Sequence, residues 1–303
     1  MNLQTTDTVL MVRPAAFGYN EETAVNNAFQ QKGTGTDIQA EARRESDAYI
    51  GLLESSGINV VAAEDTAEPH TPDSVFPNNW FSTHDDGTLV LYPMFAENRR
   101  LERKPAVLEA IKANFDVKRI VDLTHYEEEG KFLEGTGSMV LDRAGRIVYA
   151  CRSPRTNEEV LRDFCESLGY SPLMFDASDA GGRQIYHTNV MMHIGSDTAV
   201  VCMESIGDAE ERARVRSSLE ESGRTIVEIT HGQMEHFAGN MLELRSSRGE
   251  ACLVMSKTAR IALSEDQLSV LGSGRRLITP DLDCIEMNGG GSARCMLAEL
   301  FAK

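Results

Sequence analysis

The sequence has few of the features that would indicate a disulfide framework or a membrane protein. Its six cysteines stand singly at positions 151, 165, 202, 252, 284 and 295, with no Cys-X-X-Cys pair, so we expect free thiols. No apolar run approaches the length of a membrane span, and residues 1–7 lack the basic and apolar segments of a secretion signal. These absences predict a cytoplasmic protein that does not bind a membrane.

Basic residues are also scarce. The 303 residues include 30 lysines and arginines against 47 acidic residues, which gives a formal charge of -17 and a pI near 4.9. A chain of this charge repels phosphate backbones, so nucleic acid is not an expected partner. With 41% hydrophobic residues the chain can bury a sizeable core. Its oligomeric state stays open, and a homo-oligomer is compatible with the sequence.

A hairpin pattern recurs along the chain. Two apolar segments flank a short polar turn that contains glycine, which is typical of β-hairpins. The four copies span residues 80–92, 138–149, 190–201 and 241–254. Segments with apolar residues at helical spacing follow the hairpins and lead into short apolar strands, such as 172–175. Asn157 and Asp208 stand where helix N-caps are expected, and Gly169 where a helix should end. The repeat is therefore a hairpin, a helix and a strand.

Each hairpin follows a tetrapeptide, here called a lead-in segment, and a fifth such segment occurs near the C-terminus. The lead-in segments are 76–79, 134–137, 186–189, 237–240 and 288–291. Five regularly spaced units predict a five-bladed α/β propeller of strand-strand-helix-strand units that forms one domain over residues 1–303. The first strand, Val9 to Arg13, would complete the fifth blade and close the ring. The lead-in segments would then face a common axis.

Three reactive side chains lie in or beside lead-in segments. Glu134, His187 and Cys295 would meet at the axis although they are distant in sequence. A thiol needs a proton acceptor to become a nucleophile at neutral pH, histidine is the usual acceptor, and a carboxylate can orient the histidine. We also predict that Cys295 opens a short helix after Gly289 to Gly291, where the helix N-terminus would favour the thiolate.

These motifs resemble those of the guanidine-modifying superfamily, which contains arginine deiminases, dimethylarginine hydrolases and amidinotransferases. Val12-Arg13-Pro14 resembles the first strand of that family, and residues 134–137 resemble its Glu-Gly-Gly-Asp motif. His187-Thr188-Asn189 resembles its His-X-Asp motif, and residues 289–295 resemble its glycine-rich nucleophile loop. The resemblance covers the whole chain. It implies a five-bladed propeller and a Cys-His-Glu site that uses no metal and no organic cofactor.

Two departures from the family pattern bear on the substrate. Asn79 and Asn189 stand where arginine-specific members carry aspartates that pair with the guanidinium. An amide can donate to a carbonyl oxygen and accept from an NH2 group, so we expect it to bind a neutral ureido group better than a cation. We predict that Asn79, Asn189 and the neighbouring Asn78 bind the head group. The leading hypothesis is hydrolysis of citrulline to ornithine, ammonia and carbon dioxide.

An amino-acid substrate also needs a cation for its carboxylate, and Arg13, Arg183 and Arg294 are candidates. Residues 33–37 are interpreted as a flexible loop that could cover the substrate. Residues 231–236 contain two histidines, but their spacing fits no common metal site, so we interpret them as a loop.

Other functions remain open from the sequence. An amidinotransferase, or a hydrolase of arginine or dimethylarginine, would use the same nucleophile on a different head group. A ribosome anti-association factor has the same propeller without the thiol site, so a binding protein is the alternative of a different class.

Overall fold

The computed structural model describes residues 4–33 and 37–301. Residues 34–36 of the predicted covering loop lie outside this part of the chain. The strands form five three-stranded sheets, in the orders β15-β1-β2, β3-β4-β5, β6-β7-β8, β11-β10-β9 and β12-β13-β14. The strands are β1 (Thr8–Arg13), β2 (Asn59–Glu64), β3 (Phe81–Thr83), β4 (Thr88–Leu91), β5 (Arg119–Asp122), β6 (Val140–Asp142), β7 (Ile147–Cys151), β8 (Ser171–Phe175), β9 (Met192–Ile194), β10 (Thr198–Val201), β11 (Thr225–Glu228), β12 (Leu242–Arg245), β13 (Ala251–Val254), β14 (Arg275–Ile278) and β15 (Ala298–Leu300).

Each sheet repeats one topology. Its first two strands are antiparallel, and its second and third strands are parallel, as in the pairing of β6 with β7 and of β7 with β8. A parallel pair needs a crossover, which a helix supplies in each blade. The α-helices are α1 (Glu21–Ala24), α2 (Ile38–Ser55), α3 (Glu97–Arg100), α4 (Pro105–Asn114), α5 (Gly135–Ser138), α6 (Glu158–Leu168), α7 (Ala209–Glu221), α8 (His231–Glu235), α9 (Lys257–Ala262), α10 (Glu265–Gly272) and α11 (Asp283–Gly289). The predicted five-bladed fold is confirmed.

The crossover helices begin and end as the sequence predicts. The side chain of Asn157 accepts the backbone N–H groups of Glu159 and Val160 at the start of α6. Asp208 caps α7 in the same way. Gly169 ends α6 with φ of 70°, a left-handed conformation in which glycine carries no Cβ penalty. One face of α6 is buried through residues at helical spacing, among them Val160 and Phe164.

The ring closes through the two ends of the described chain. β1 pairs with β15 in antiparallel register, from Thr8 opposite Leu300 to Leu10 opposite Ala298. β15 packs beside β3, while β9 packs beside both β6 and β12. The first strand of each blade therefore lies next to those of neighbouring blades, and the lead-in segments before these strands converge at one end of the ring. No helix in residues 4–33 and 37–301 is long and apolar enough to cross a membrane.

Candidate active site

The lead-in segments of neighbouring blades pack closely against one another. A Cβ placed on Gly137 would lie 2.5 Å from Asn79 Nδ2 and 2.7 Å from His187 Nδ1. Such distances are below van der Waals contact, so only glycine allows the second lead-in segment to sit against the first and third. The result is a small cavity of about 20 Å3. Among the residues that line this cavity are charged, amide and thiol side chains: Asp73, Asn79, Arg99, Arg155, His187 and Cys295.

Two amide groups contact the sulfur of Cys295. Asn189 Nδ2 lies 3.5 Å from Cys295 Sγ, and Asn240 Nδ2 lies 3.3 Å from it. Asn240 is itself held in place, because its Oδ1 accepts the backbone N–H of Arg294 at 3.0 Å. N–H donors directed at sulfur stabilise the negatively charged thiolate relative to the thiol. The arrangement therefore suits a nucleophilic sulfur.

The predicted helix at Cys295 is wrong. Residues 293–296 form a turn that leads into β15, and the glycines end helix α11 instead of starting a new one. Gly290 has φ of 62° and caps α11 in the left-handed conformation, which ends helical hydrogen bonding. Cys295 consequently lies at no helix N-terminus. The two asparagine amides provide the stabilisation that was attributed to a helix dipole.

His187 and Glu134 form a buried hydrogen-bonded pair. His187 Nε2 lies 2.8 Å from Glu134 Oε2. The other carboxylate oxygen of Glu134 accepts the backbone N–H of Phe95 at 3.0 Å, and Arg155 Nη1 lies 3.3 Å from Oε2. With Nε2–H donated to the carboxylate, Nδ1 of His187 is the nitrogen left to exchange a proton.

The electrostatics of this pair favour a neutral histidine and an ionised glutamate. Burial lowers the pKa of His187 to about 4, although Glu134 acts in the opposite direction. Burial alone would raise the pKa of Glu134, but the charge of Arg155 and the hydrogen bond from His187 outweigh it and hold that pKa well below its usual value. His187 is therefore available as a proton acceptor at neutral pH.

A second ion-paired side chain, Arg99, also lines the cavity. Arg99 binds Glu102 through two contacts, of 2.8 and 3.0 Å, and donates to Asn79 Oδ1 at 2.7 Å. Asn79 thus presents its Nδ2 group, which has no hydrogen-bond partner in the described chain. Asp73 lies 4.0 Å from Arg99, and Oδ2 of Asp73 accepts hydrogen bonds from Asn20 and Thr23. Oδ1 of Asp73 has no hydrogen-bond partner among the described residues.

The remaining predicted site residues lie in several places. Asn78 is buried, donates to Thr136 Oγ1 at 3.2 Å and does not line the cavity. Asn189 contacts the sulfur of Cys295 and does not line the cavity. Arg183 lies largely exposed, paired with Asp179 at 2.7 Å, in a larger adjacent cleft of 540 Å3.

Two of the three arginine candidates, Arg13 and Arg294, are paired with carboxylates and do not line the cavity. Arg13 is bound by Asp47 at 2.7 Å and Glu64 at 3.0 Å, and it does not line the cavity. Arg294 is buried and paired with Glu299 at 3.0 Å. Carboxylates compensate both guanidinium groups, as Asp179 compensates that of Arg183. The arginine that would bind a substrate carboxylate therefore stays a prediction.

Sequence reasoning missed four residues of the site. Asn240 ends the fourth lead-in segment, the position that Asn79 and Asn189 occupy in their own blades, so the repeat itself contained the signal. Asp73, Arg99 and Arg155 lie outside the lead-in segments. No pattern in the chain marks these three, and only the packing of the blades brings them to the cavity.

Comparison with known proteins extends over nearly the whole chain. The sequence model of the family described as N,N dimethylarginine dimethylhydrolase, eukaryotic, matches residues 13–302. No curated protein sequence gives a match. Among solved structures, apo ArgZ, an arginine dihydrolase from the ornithine-ammonia cycle in cyanobacteria, superposes with a TM-score of 0.76 at 16% identity. The match covers 98% of this chain and 41% of ArgZ, so the chain spans about two fifths of that protein.

The substrate-bound N-terminal domain of ArgZ gives a TM-score of 0.76 at 16% identity, over 97% of this chain and 98% of the domain. A dimethylarginine dimethylaminohydrolase adduct gives 0.65 at 16% identity, over 96% and 98% of the two chains. At these identities the structures show a shared fold. The family match shows more: the chain belongs to the dimethylarginine dimethylhydrolase family of the guanidine-modifying superfamily, as its motifs predict.

Proposed function

We propose that the protein hydrolyses the guanidinium group of arginine or of an N-methylated arginine, with Cys295 as the nucleophile. The observation that carries the proposal is the charge of the buried groups around the cavity. Three carboxylates, Asp73, Glu102 and Glu134, contact two guanidinium groups, Arg99 and Arg155. Burial raises the pKa of Glu102 to about 7, and Arg99 opposes that rise. With His187 neutral and the three carboxylates ionised, the five groups sum to -1. A buried excess of negative charge favours a ligand that brings positive charge.

Free arginine matches this charge balance better than citrulline does. Its carboxylate, ammonium and guanidinium groups sum to +1, whereas those of citrulline sum to zero. Asp73 supplies the unsatisfied acceptor, because its Oδ1 atom is buried without a hydrogen-bond partner in the described chain. Burial raises the pKa of Asp73, and Arg99 opposes that effect. A cationic substrate group next to Asp73 would compensate the buried carboxylate.

The chemistry follows from the placement of the groups. Nδ1 of His187 accepts the thiol proton, and the sulfur of Cys295 attacks the guanidinium carbon to form a C–S bond. His187 then protonates the departing nitrogen, which leaves as ammonia or a methylated amine. His187 then takes a proton from a water molecule, and the oxygen of that water attacks the thiouronium carbon. The C–S bond breaks, the proton returns to sulfur, and a ureido product is released. Glu134 holds the histidine ring in orientation throughout.

The predicted substrate therefore changes while the predicted nucleophile stays the same. Citrulline is the expected substrate only if Asn79 and Asn189 leave the site without a carboxylate. Asp73 supplies one from a segment that precedes the first lead-in segment, and the family match also favours a guanidinium substrate. Citrulline hydrolysis remains the second candidate, because the unpaired Nδ2 group of Asn79 can donate to a ureido oxygen.

Parallel assays of the purified protein with arginine, dimethylarginine and citrulline would test the proposal. We expect citrulline and an amine from at least one guanidinium substrate, and loss of this turnover in Cys295→Ala. Turnover of citrulline alone would overturn the proposal and support the second candidate. Substantial turnover by Cys295→Ala would refute the nucleophile itself.

A further inference from the structure

A group of metal-binding side chains lies in the fourth blade, outside the catalytic cavity. Cys202 follows strand β10, Glu204 lies in the 3-10 turn Met203–Ser205, and His231 is the first residue of α8. One ligating atom from each of these side chains lies within 4.8 Å of the others. None of the three lines the catalytic cavity. Cys202 and Glu204 are separated by one residue, but His231 lies 27 residues after Glu204, so no spacing motif marks the three.

The histidine is oriented as metal-binding histidines are. His231 Nε2 lies 3.3 Å from the carbonyl oxygen of Ser178, to which it can donate. The other nitrogen, Nδ1, then carries the lone pair and faces Glu204 Oε1 at 3.4 Å. A backbone carbonyl that fixes one imidazole N–H and so directs the second nitrogen is the usual outer support of a metal-bound histidine.

The thiol and the carboxylate complete the donor set. Cys202 is buried, and its sulfur accepts a hydrogen bond from Ser205 Oγ at 3.1 Å. Glu204 accepts the backbone N–H of His231 and is exposed to solvent. Capping of α8 explains the position of Glu204 but does not explain why a thiol and an imidazole converge on it.

We propose that Cys202, Glu204 and His231 bind a zinc ion, with water as the fourth ligand. Sulfur, nitrogen and oxygen donors together suit zinc, whereas a thiolate does not suit magnesium or calcium. On binding, the Cys202 thiol loses its proton to solvent and a zinc–sulfur bond forms. One thiolate and one carboxylate then neutralise the two charges of the ion. A small inward movement of the side chains would bring the donors to coordination distance.

The structure also revises the interpretation of residues 231–236. Residues His231–Glu235 form helix α8 and not a loop. His236 is turned away from His231, with its Nδ1 atom 2.8 Å from the carbonyl of Gly232. The two histidines thus do not form a site with each other, as their spacing in the sequence indicates. His231 instead meets residues of an earlier turn.

The position of the site predicts a structural role. Met234 of helix α8 and Phe237, which lies beyond the end of that helix, line the 540 Å3 cleft beside the catalytic cavity. Tyr186 lines both the cleft and the cavity. A bound ion would join the turn after β10 to this wall of the cleft. We therefore expect zinc to raise the thermal stability of the protein.

Cobalt titration of the 303-residue protein tests the site, because cobalt bound to a thiolate gives a sulfur-to-metal charge-transfer band. We expect one equivalent to bind, with the same band in wild type and in Cys295→Ala. His231→Asn should weaken binding at least tenfold, while His236→Asn serves as the matched control and should bind as wild type does. Zinc should displace cobalt and raise the melting temperature of the wild type but not of His231→Asn.

Cys202→Ser should remove the charge-transfer band. If that variant does not fold, the loss of binding in the surface variant His231→Asn decides the question. The proposal is overturned by a protein that binds no cobalt, by binding that survives in His231→Asn, or by a band that disappears in Cys295→Ala. These readouts do not depend on the substrate of the enzyme.

Discussion

Asparagines at one repeated position make different contacts in different blades. Asn79, Asn189 and Asn240 all end lead-in segments, yet Asn79 binds Arg99 while the other two contact the sulfur of Cys295. The sequence predicted that Asn79 and Asn189 would approach the axis, because equivalent positions in a ring face the same way. It could not predict which atom each amide would meet, since that depends on neighbours from other blades.

Replacement of Asp73 tests the charge argument at a single residue. Asp73→Asn keeps the shape of the side chain but removes its charge, so we expect kcat/KM for arginine to fall about ten- to hundredfold, the effect of losing one charge-assisted hydrogen bond. Steady-state kinetics would measure it. Asp116→Asn, at an exposed aspartate, is the control and should behave as wild type. Unchanged kinetics in Asp73→Asn would contradict the role of Asp73.

Gly137 provides a test of the packing between lead-in segments. In Gly137→Ala the new Cβ would lie 2.5 Å from Asn79 Nδ2 and 2.7 Å from His187 Nδ1, so both side chains must move. We expect kcat/KM to fall about a hundredfold, because catalysis is sensitive to displacements of about 1 Å. Gly51→Ala in helix α2 has open space around it and is the matched control. Its activity should be unchanged and its stability slightly higher.

The segment of residues 20–33, here called the strap, covers the cavity. Gln30 Nε2 donates to the carbonyl oxygen of Asn288 at 2.9 Å, and the backbone N–H of Gln31 donates to the carbonyl oxygen of Met287 at 2.7 Å. Arg155 binds the carbonyl of Thr23 at 2.8 Å and the side chain of Asn26. A cavity of about 20 Å3 holds no more than a water molecule. We therefore expect the strap or its neighbours to move when an amino acid enters.

Loosening the strap should expose it to proteolysis. Gln30→Ala removes a buried hydrogen bond to Asn288, so we expect cleavage within residues 20–33 to become several times faster. Gln31→Ala is the control, because its exposed side chain can be lost without changing the backbone hydrogen bond to Met287. The rates would be measured by mass spectrometry after brief protease treatment. Equal rates in the two variants would show that Gln30 does not hold the strap.

Across the whole molecule, ionisable groups are buried where the blades meet. Arg224 binds Asp142 of the preceding blade at 2.7 and 2.9 Å, and Arg294 binds Glu299 near the axis. His193 on β9 lies among such groups, and its Nε2 atom has no hydrogen-bond partner in the described chain. Burial lowers the pKa of His193 to about 3, with further contributions from Arg294, Arg275 and Arg224.

This histidine should make stability depend on pH in a definable window. Its pKa is about 6.5 in the unfolded chain and about 3 in the folded one. The unfolded state therefore binds the extra proton, and stability falls as the pH falls from about 6.5 towards 3. Relative to His193→Asn, the free energy of unfolding of the wild type should decrease by about 1.4 kcal/mol for each pH unit between 6 and 4.

Urea unfolding of both proteins between pH 6 and 4 would measure this difference in the free energy of unfolding. The control is His125→Asn, because His125 is exposed. The control should keep the slope of the wild type. Parallel curves for wild type and His193→Asn would show that His193 is not held neutral in the folded protein.

The sequence alone determined the repeat, the ring and the three reactive side chains. Hydrophobic periodicity and glycine punctuation are local properties, so the order of residues is enough to predict the hairpins, the caps of α6 and α7 and the closure through β1. Convergence of Glu134, His187 and Cys295 then followed from symmetry.

Only the tertiary structure decided the charge of the site. Asp73 and Arg155 reach the cavity from segments that carry no repeated pattern, and the same is true of the contact between His231 and Cys202. Such contacts depend on how separate blades pack, and the local sequence does not encode which partner a side chain will meet. The turn at Cys295 has the same origin, because pairing of β15 with β1 draws residues 298–300 into a strand and overrides their helical pattern.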